Sequence, residues 1–351
     1  MKKKIIRKFT ALMTAIISLS ATVSIPVSAI NATNNIIDTK LNYAETALAT
    51  YLNSYGMSGS DFYLSSAYDV YDMESGTAQN EVYIAFDNED VIGMLSITEV
   101  NGEYYSSFEL NNFDTLQNLY DNDTRFNFVC NDECLYIHNG IDTYSIDDDS
   151  ITVEYNFSTT SAEVLEKRNA VNVTSSKTRV HNYKKNLIVP IVQNESMNGR
   201  GLCWAAAIAS RSDYIGGSTY VAHDIYYILN GIYSGTPIGT PLWIQRGYQY
   251  FQYSCTRADR MLNCIEIMNN IEINNPIHID LYTSDASVGH SVLISGLTIN
   301  SDGTGIYRLV DSNKMAYVDV MVPADVMTGE NDFVYATTYG YIFENCWYSY
   351  Y

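Results

Sequence analysis

The second half of the chain places helix-forming segments before strand-forming ones, and this order constrains the fold most. An alanine-rich stretch begins at Cys203 and ends at two glycines, Gly216 and Gly217, as a helix would. Two further helix-like runs and three strand-like runs follow, at 221–229, 257–269, 276–282, 290–299 and 306–312. The turn sequence NSDGTG joins the last two strands as a hairpin. Helices followed by antiparallel strands predict an α+β fold and exclude a doubly wound sheet.

The first half predicts a smaller unit of the same class. Residues 36–55 carry apolar side chains at three- and four-residue spacing, which predicts an amphipathic helix that ends at Gly56. Apolar and polar residues then alternate, which predicts antiparallel strands at 81–86, 91–97, 104–110, 126–129, 135–138 and 151–155. This half shows no catalytic constellation. Residues 30–155 are therefore interpreted as an acidic α+β pro-domain or accessory domain.

Charge separates the two halves. The 351 residues leave room for about two domains, and 40 acidic residues outnumber 20 basic ones. Residues 30–180 hold 25 acidic and 6 basic residues, whereas 181–351 hold 15 and 9, a net charge of −19 against −6. This excess of negative charge argues against nucleic acid and anionic membrane surfaces as partners. The asymmetry predicts two units with different roles.

The N-terminus has the features of a bacterial-type signal peptide over residues 1–29. Basic residues from Lys2 to Lys8 precede an apolar run, and Val27, Ser28 and Ala29 supply the small residues that signal peptidase requires. A transmembrane anchor is the competing interpretation, but the run lacks a positive stop-transfer flank. We expect a secreted, extracellular protein with no membrane association after signal removal.

Residues 156–187 are predicted to be a linker. Apolar periodicity fades there, and Ser, Thr and Asn alternate with basic residues from Lys167 to Lys185. Such a segment is either a solvated connector or a processing site, since exposed basic tips are readily cleaved. The residues favour neither.

Three residues of the second half form a candidate catalytic group. Cys203 begins a predicted helix, where unsatisfied N–H groups favour thiolate over thiol. His290 opens a predicted strand after Gly289, and Asp311 ends the next strand across a tight hairpin. The two strand ends should lie together, which supplies a nucleophile, a proton carrier and an orienting carboxylate.

The motifs around these residues resemble papain-like cysteine peptidases over about residues 187–351. The sequence GLCWAAAIAS is similar to their nucleophile helix, and VGHSVLISG is similar to their histidine strand. The runs YRLVDSN and NNPIHIDLY resemble the bacterial secreted branch, which includes double-glycine leader peptidases and staphopain-like enzymes. The resemblance implies a papain-like domain at 188–351, with a nucleophile helix packed on an antiparallel sheet and a pro-domain before it.

The resemblance also implies an amide in the oxyanion hole and an orienting residue. Papain-like enzymes place a Gln several residues before the nucleophile, and Gln193 is the best match here, with Asn194 and Asn198 as alternatives. Because Gln193 lies ten residues upstream of Cys203, it requires residues 195–201 to loop out. Asp311 is the expected orienting residue, and Asn313 is the alternative.

The predicted function is that of a cysteine endopeptidase with a Cys203–His290–Asp311 triad and a protein or peptide as substrate. We expect no cofactor and no metal, because the chain has no HExxH motif and no zinc-finger spacing. Domain order suggests a zymogen inhibited by its own N-terminal domain and activated by cleavage within 167–185. A Cys-His-Asp acyltransferase, a cell-wall amidase, and an inactive binding or adhesion protein are the rival interpretations.

Overall fold

The structure is a computed structural model that describes most of the chain after residue 38. The described ranges are 39–57, 61–111, 113–131, 134–146, 152–153, 162–173, 183–197, 200–338 and 341–351. The predicted signal peptide lies outside these ranges, so secretion stays a prediction. No helix within the described ranges is long and apolar enough to cross a membrane.

The N-terminal part, residues 39–173, begins with a helix that covers one face of a sheet. Helix α1 spans Thr39–Tyr55 and buries Ala44, Leu48, Tyr51 and Leu52 on one side, as their spacing predicts. The strands after it alternate as expected, and tight turns with left-handed backbone at Asn88 and Asn101 join β3, β4 and β5. The remaining elements are β1 (Phe62–Ser65), β2 (Tyr68–Asp72), β3 (Ala78–Asp87), β4 (Asp90–Val100), β5 (Glu103–Leu110), α2 (Asp114–Asp121), β6 (Arg125–Cys130), β7 (Leu135–His138), β8 (Thr143–Ser145), β9 (Thr152–Val153), β10 (Glu163–Val164) and β11 (Lys167–Val171).

The C-terminal part, residues 183–351, has its helices first and most of its sheet afterwards. Helix α3 ends where Gly217 takes the left-handed conformation. The elements are β12 (Tyr183–Asn186), β13 (Ser196–Met197), β14 (Arg200–Gly201), α3 (Cys203–Gly216), α4 (Ala222–Ile232), α5 (Pro241–Tyr250), β15 (Arg257–Ala258), α6 (Cys264–Glu272), β16 (Ile277–Tyr282), β17 (Gly289–Ile299), β18 (Gly305–Asp311), β19 (Ala316–Val322), α7 (Ala324–Thr328), β20 (Tyr335–Ala336), β21 (Ile342–Phe343) and β22 (Asn345–Tyr350).

Two helices of this part differ from the sequence expectation. The helix predicted at 257–269 begins only at Cys264, because the Asn263 side chain accepts hydrogen bonds from the N–H groups of Ile265 and Glu266 and so caps the helix there. Helix α5 was not predicted. It is short, starts at Pro241, and follows a Gly- and Thr-rich segment that resembles a loop.

Within the described ranges, one large, mostly antiparallel sheet of 18 strands connects the two parts. In the C-terminal part the neighbours run β15, β22, β16, β17, β18 and β19. Strand β19 then pairs with β5, so that Val318 faces Glu109 and Val320 faces Ser107. The α+β class is confirmed, and the two halves share a sheet.

Helix α1 adds a second connection between the parts. The Tyr51 hydroxyl donates to the Ser106 carbonyl at 2.8 Å and accepts from the Met321 N–H of β19, also at 2.8 Å. The apolar cluster under α1 includes Ile306 of β18. Burial of this face therefore stabilises both parts together.

The predicted linker contains three described strands. Strand β11 pairs with β1, and β12 pairs with β17 of the C-terminal part. Most of the basic residues counted as processing sites are in these strands, namely Lys167, Arg168, Lys184 and Lys185. Lys177 and Arg179 lie outside the described residues. Cleavage in this segment stays a prediction.

Candidate active site

Cys203 is the first residue of helix α3. The N–H groups of Ala205 and Ala206 both donate to the Leu202 carbonyl at 2.9 Å. Among the described residues, the N–H groups of Cys203 and Trp204 have no acceptor, as is usual in the first turn of a helix. The half-buried thiol therefore lies where helix geometry concentrates positive potential.

Antiparallel pairing of β17 and β18 brings His290 and Asp311 together as predicted. The start of β17 and the end of β18 lie at the same end of the sheet. The distance between His290 Nε2 and Asp311 Oδ1 is 3.0 Å, and both side chains are buried. The ring also forms a side-chain hydrogen bond with Cys203. The structure thus brings all three predicted triad residues into one site.

Asn313 and Tyr335 also donate to the Asp311 carboxylate. Its Oδ1 accepts from the Asn313 N–H at 2.9 Å, and its Oδ2 accepts from the Tyr335 hydroxyl at 2.7 Å. Burial raises the pKa of Asp311, but His290 and these hydrogen bonds outweigh it, so the pKa lies below its ordinary value. Asp311 is therefore held as a carboxylate.

The His290 ring is held as an imidazolium. Burial lowers the pKa of His290, whereas the charge and hydrogen bond of Asp311, together with the Cys203 side chain, raise it to about 10. The ring stacks on Phe343 at 5.5 Å, which fixes its plane. Since Nε2 faces Asp311, the other nitrogen is left to exchange a proton with the thiol.

The first testable consequence concerns alkaline pH. Proton delivery requires the imidazolium, which is fully present below the pKa of His290 and is lost as the pH rises through about 10. We expect kcat/KM for a peptide substrate to fall near pH 10, and circular dichroism at each pH controls for unfolding. A fall in kcat/KM near the ordinary pKa of histidine, about 6.5, would contradict the raised pKa of His290.

The triad opens on a cleft of about 190 Å³ between α3 and the sheet. Glycines form part of both walls. A Cβ on Gly289 would lie 2.9 Å from the Tyr282 ring, and one on Gly239 would lie 3.0 Å from Trp204. Both glycines therefore permit close packing of an aromatic ring against the backbone beside the cleft. The lining residues are Gly201, Cys203, Trp204, Gly239, Asp280, Tyr282, Gly289, His290 and Ser291.

A larger pocket of about 360 Å³ adjoins this cleft and shares Gly201, Trp204 and Gly239 with it. Its other lining residues are mainly apolar, with Arg200 as the one cationic group among them: Met197, Arg200, Leu202, Tyr226, Thr236, Pro237 and Ile238. An apolar side chain is the group that such a pocket accommodates best.

A second buried polar network reaches the wall of the cleft at Asp280 and Ser291 and was missed by sequence reasoning. Asp280 Oδ1 accepts from the Ser291 hydroxyl at 2.6 Å, and Oδ2 accepts from the Tyr350 hydroxyl at 3.1 Å. His278 lies 3.3 Å from the same carboxylate and contacts the Tyr248 hydroxyl at 2.8 Å. The register of the two strands was the one signal that could have placed Asp280 near the site, because Asp280 pairs with Ser291, next to His290.

The predicted oxyanion and alternative orienting residues lie elsewhere or have other partners. The hairpin of β13 and β14 loops residues out before the helix, as the motif spacing requires. Gln193 is exposed and does not line the cleft. The Asn313 side chain accepts from Asn194 Nδ2 at 2.7 Å, whereas Asn198 lies outside the described residues. The role of Gln193 stays a prediction.

No protein-family model and no curated protein matches the chain. The assignment of this site therefore depends on its own geometry. Within the described ranges, no three His, Cys, Asp or Glu side chains form a group that could hold a metal ion.

Proposed function

We propose that the protein is a secreted cysteine endopeptidase of papain-like type. The observation that carries the proposal is the contact of Cys203, His290 and Asp311, which come from a helix and from a strand hairpin that lies far from it in the chain. A thiol, an imidazolium and an orienting carboxylate beside a cleft are the groups that thiol-dependent acyl transfer requires.

The chemistry follows from these positions. The Cys203 thiolate attacks a peptide carbonyl. The oxyanion accepts a hydrogen bond from the Cys203 N–H, which has no acceptor among the described residues. Protonated His290 gives its proton to the leaving amine as the C–N bond breaks. Neutral His290 then takes a proton from water, which attacks the thioester, releases the acid and restores the ion pair.

The walls of the cleft combine backbone with aromatic rings. Gly201, Gly239 and Gly289 line it, and the Trp204 and Tyr282 rings pack against Gly239 and Gly289. The adjoining apolar pocket lies one residue from the nucleophile, at Leu202 and Trp204. We propose that it accommodates an apolar substrate side chain.

A labelling experiment tests this proposal directly. An epoxysuccinyl inhibitor should alkylate Cys203 in the folded protein at one equivalent. Trypsin cleaves after Arg200 and Arg211, so the adduct should appear on peptide 201–211, which contains no other cysteine. Burial raises the pKa of Cys255, Cys264 and Cys346, and their peptides should stay unlabelled.

The same sample separates the rival functions. We expect casein to be hydrolysed, and preincubation with the inhibitor to abolish the activity. Transfer to an amine donor without hydrolysis would indicate an acyltransferase, and release of peptides from cell-wall material alone would indicate an amidase. A folded, reduced protein whose Cys203 forms no adduct would refute the proposal and favour a binding protein.

A further inference from the structure

The N-terminal part joins the C-terminal part away from the residues that line the cleft. All residues that line the cleft lie between 201 and 291. Strand β5 pairs with β4 on one side and on the other with β19, the strand that follows Asp311 and its turn. This places the N-terminal part behind the orienting residue.

A buried ion pair crosses this junction. Glu109 Oε2 of β5 lies 3.5 Å from Lys314 Nζ, and the two side chains are 0% and 1% exposed. Lys314 belongs to the turn between β18 and β19, next to Asn313, whose N–H donates to Asp311 Oδ1. A charge pair removed from water is screened very little, so Glu109 restrains the turn that holds Asp311.

Tyr335, which also binds Asp311, is connected to the N-terminal part as well. Tyr335, which donates to Asp311 Oδ2, is followed by Ala336, and the Ala336 carbonyl accepts from the Ser107 hydroxyl of β5. The next carbonyl, that of Thr337, accepts from Asn80 Nδ2 of β3 at 2.8 Å. Both protein groups that bind the Asp311 carboxylate beside His290 are thus adjacent to residues held by the N-terminal part.

We propose that the N-terminal part is a permanent structural component of the active site, and that Glu109 is a positioning residue that acts through Lys314 on Asp311. The inference rests on the proposed function for its activity readout. In this proposal the N-terminal part does not inhibit the enzyme by covering the cleft; it holds Asp311 in position. The active enzyme therefore contains both parts.

Glu109→Gln in the full chain tests this inference, and Glu103→Gln is the matched control, since Glu103 lies on the same strand but is exposed. Loss of the Glu109 charge releases the turn at Lys314, which weakens the Asn313 N–H contact that holds Asp311 beside the imidazolium. We expect kcat for a peptide to fall about tenfold with KM nearly unchanged. The control should match the parent.

Titration of the His290 ring by NMR, assigned with His290→Ala, provides a readout independent of activity. The groups that face the ring are Asp311, Cys203 and the aromatic Phe343. We expect the His290 pKa to be lower by about one unit in Glu109→Gln, corresponding to a tenfold change in proton affinity, and unchanged in Glu103→Gln. This shift would support the inference even if the parent protein cleaved no peptide.

Two outcomes would overturn the inference. The first is a folded Glu109→Gln protein with the kcat and His290 titration of the control. The second is a rise in kcat, as release of an inhibiting N-terminal part would give. If Glu109→Gln does not fold, Ser107→Ala makes the same test through Ala336 and Tyr335. A Ser107→Ala protein that matches Glu103→Gln in both readouts would likewise overturn it.

Discussion

Replacing Cys203 by Ala should abolish peptide hydrolysis while leaving the fold in place. Without the thiolate no acyl-enzyme forms, so we expect kcat to fall by about 10⁴-fold or more. The side chain is only half-buried at the start of α3. Its loss should therefore change the free energy of unfolding by about 1 kcal/mol at most. Initial rates on a chromogenic peptide and thermal unfolding measure the two effects.

Cys255→Ala is the matched control for this experiment, because Cys255 is also half-buried and carries a free thiol. It should retain the parent activity. Turnover by Cys203→Ala within tenfold of the parent would exclude Cys203 as the nucleophile.

His290→Ala should have a larger effect than Asp311→Asn. His290 is the proton carrier between Cys203 and Asp311, and its loss should lower kcat by about 10³- to 10⁴-fold. In Asp311→Asn, the amide oxygen can still accept from His290 and Asn313, and its NH₂ group can donate to the Tyr335 oxygen. We expect kcat to fall about 10- to 100-fold. The alkaline fall in the pH profile of kcat/KM should occur at lower pH.

The pH profile and two further variants check this order. Asp311→Asn removes the charge that raises the pKa of His290, so the fall in kcat/KM near pH 10 should move toward neutrality. Equal losses in His290→Ala and Asp311→Asn would contradict the order. A greater loss in Asn313→Ala than in Asp311→Ala would assign the orienting role to Asn313.

The proximity of His290 and Asp311 could be predicted because its signals are local. Cys203 stands where an alanine-rich run begins, and His290 and Asp311 are at facing ends of two strands joined by a short turn. Helix starts and hairpins depend on neighbouring residues, so their geometry can be inferred from spacing alone. The α+β class followed from the same periodicities.

The residues that hold Asp311 in place had no such local signal in the sequence. Tyr335 reaches Asp311 across 24 residues that include a strand and a short helix, and no repeat marks it. The Glu109–Lys314 pair joins β5 to the turn before β19, and the contact of these two strands depends on tertiary packing. Glu109 appeared as one acidic residue among many in an acidic half. Its complete burial is what distinguishes it, and burial of a charged residue is not visible in a strand's sequence.

The shared sheet also determines how the chain must fold. Ser107 and Ala336 are separated by 229 residues, and contacts of such range form late, because closing a long loop costs entropy before the contact stabilises anything. During synthesis β5 is made first and its edge stays unpaired until β19 emerges. An unpaired edge is a template for aggregation. Refolding of the whole chain should therefore be slow and sensitive to protein concentration. The N-terminal half made alone would expose the edge of β5 and should tend to aggregate.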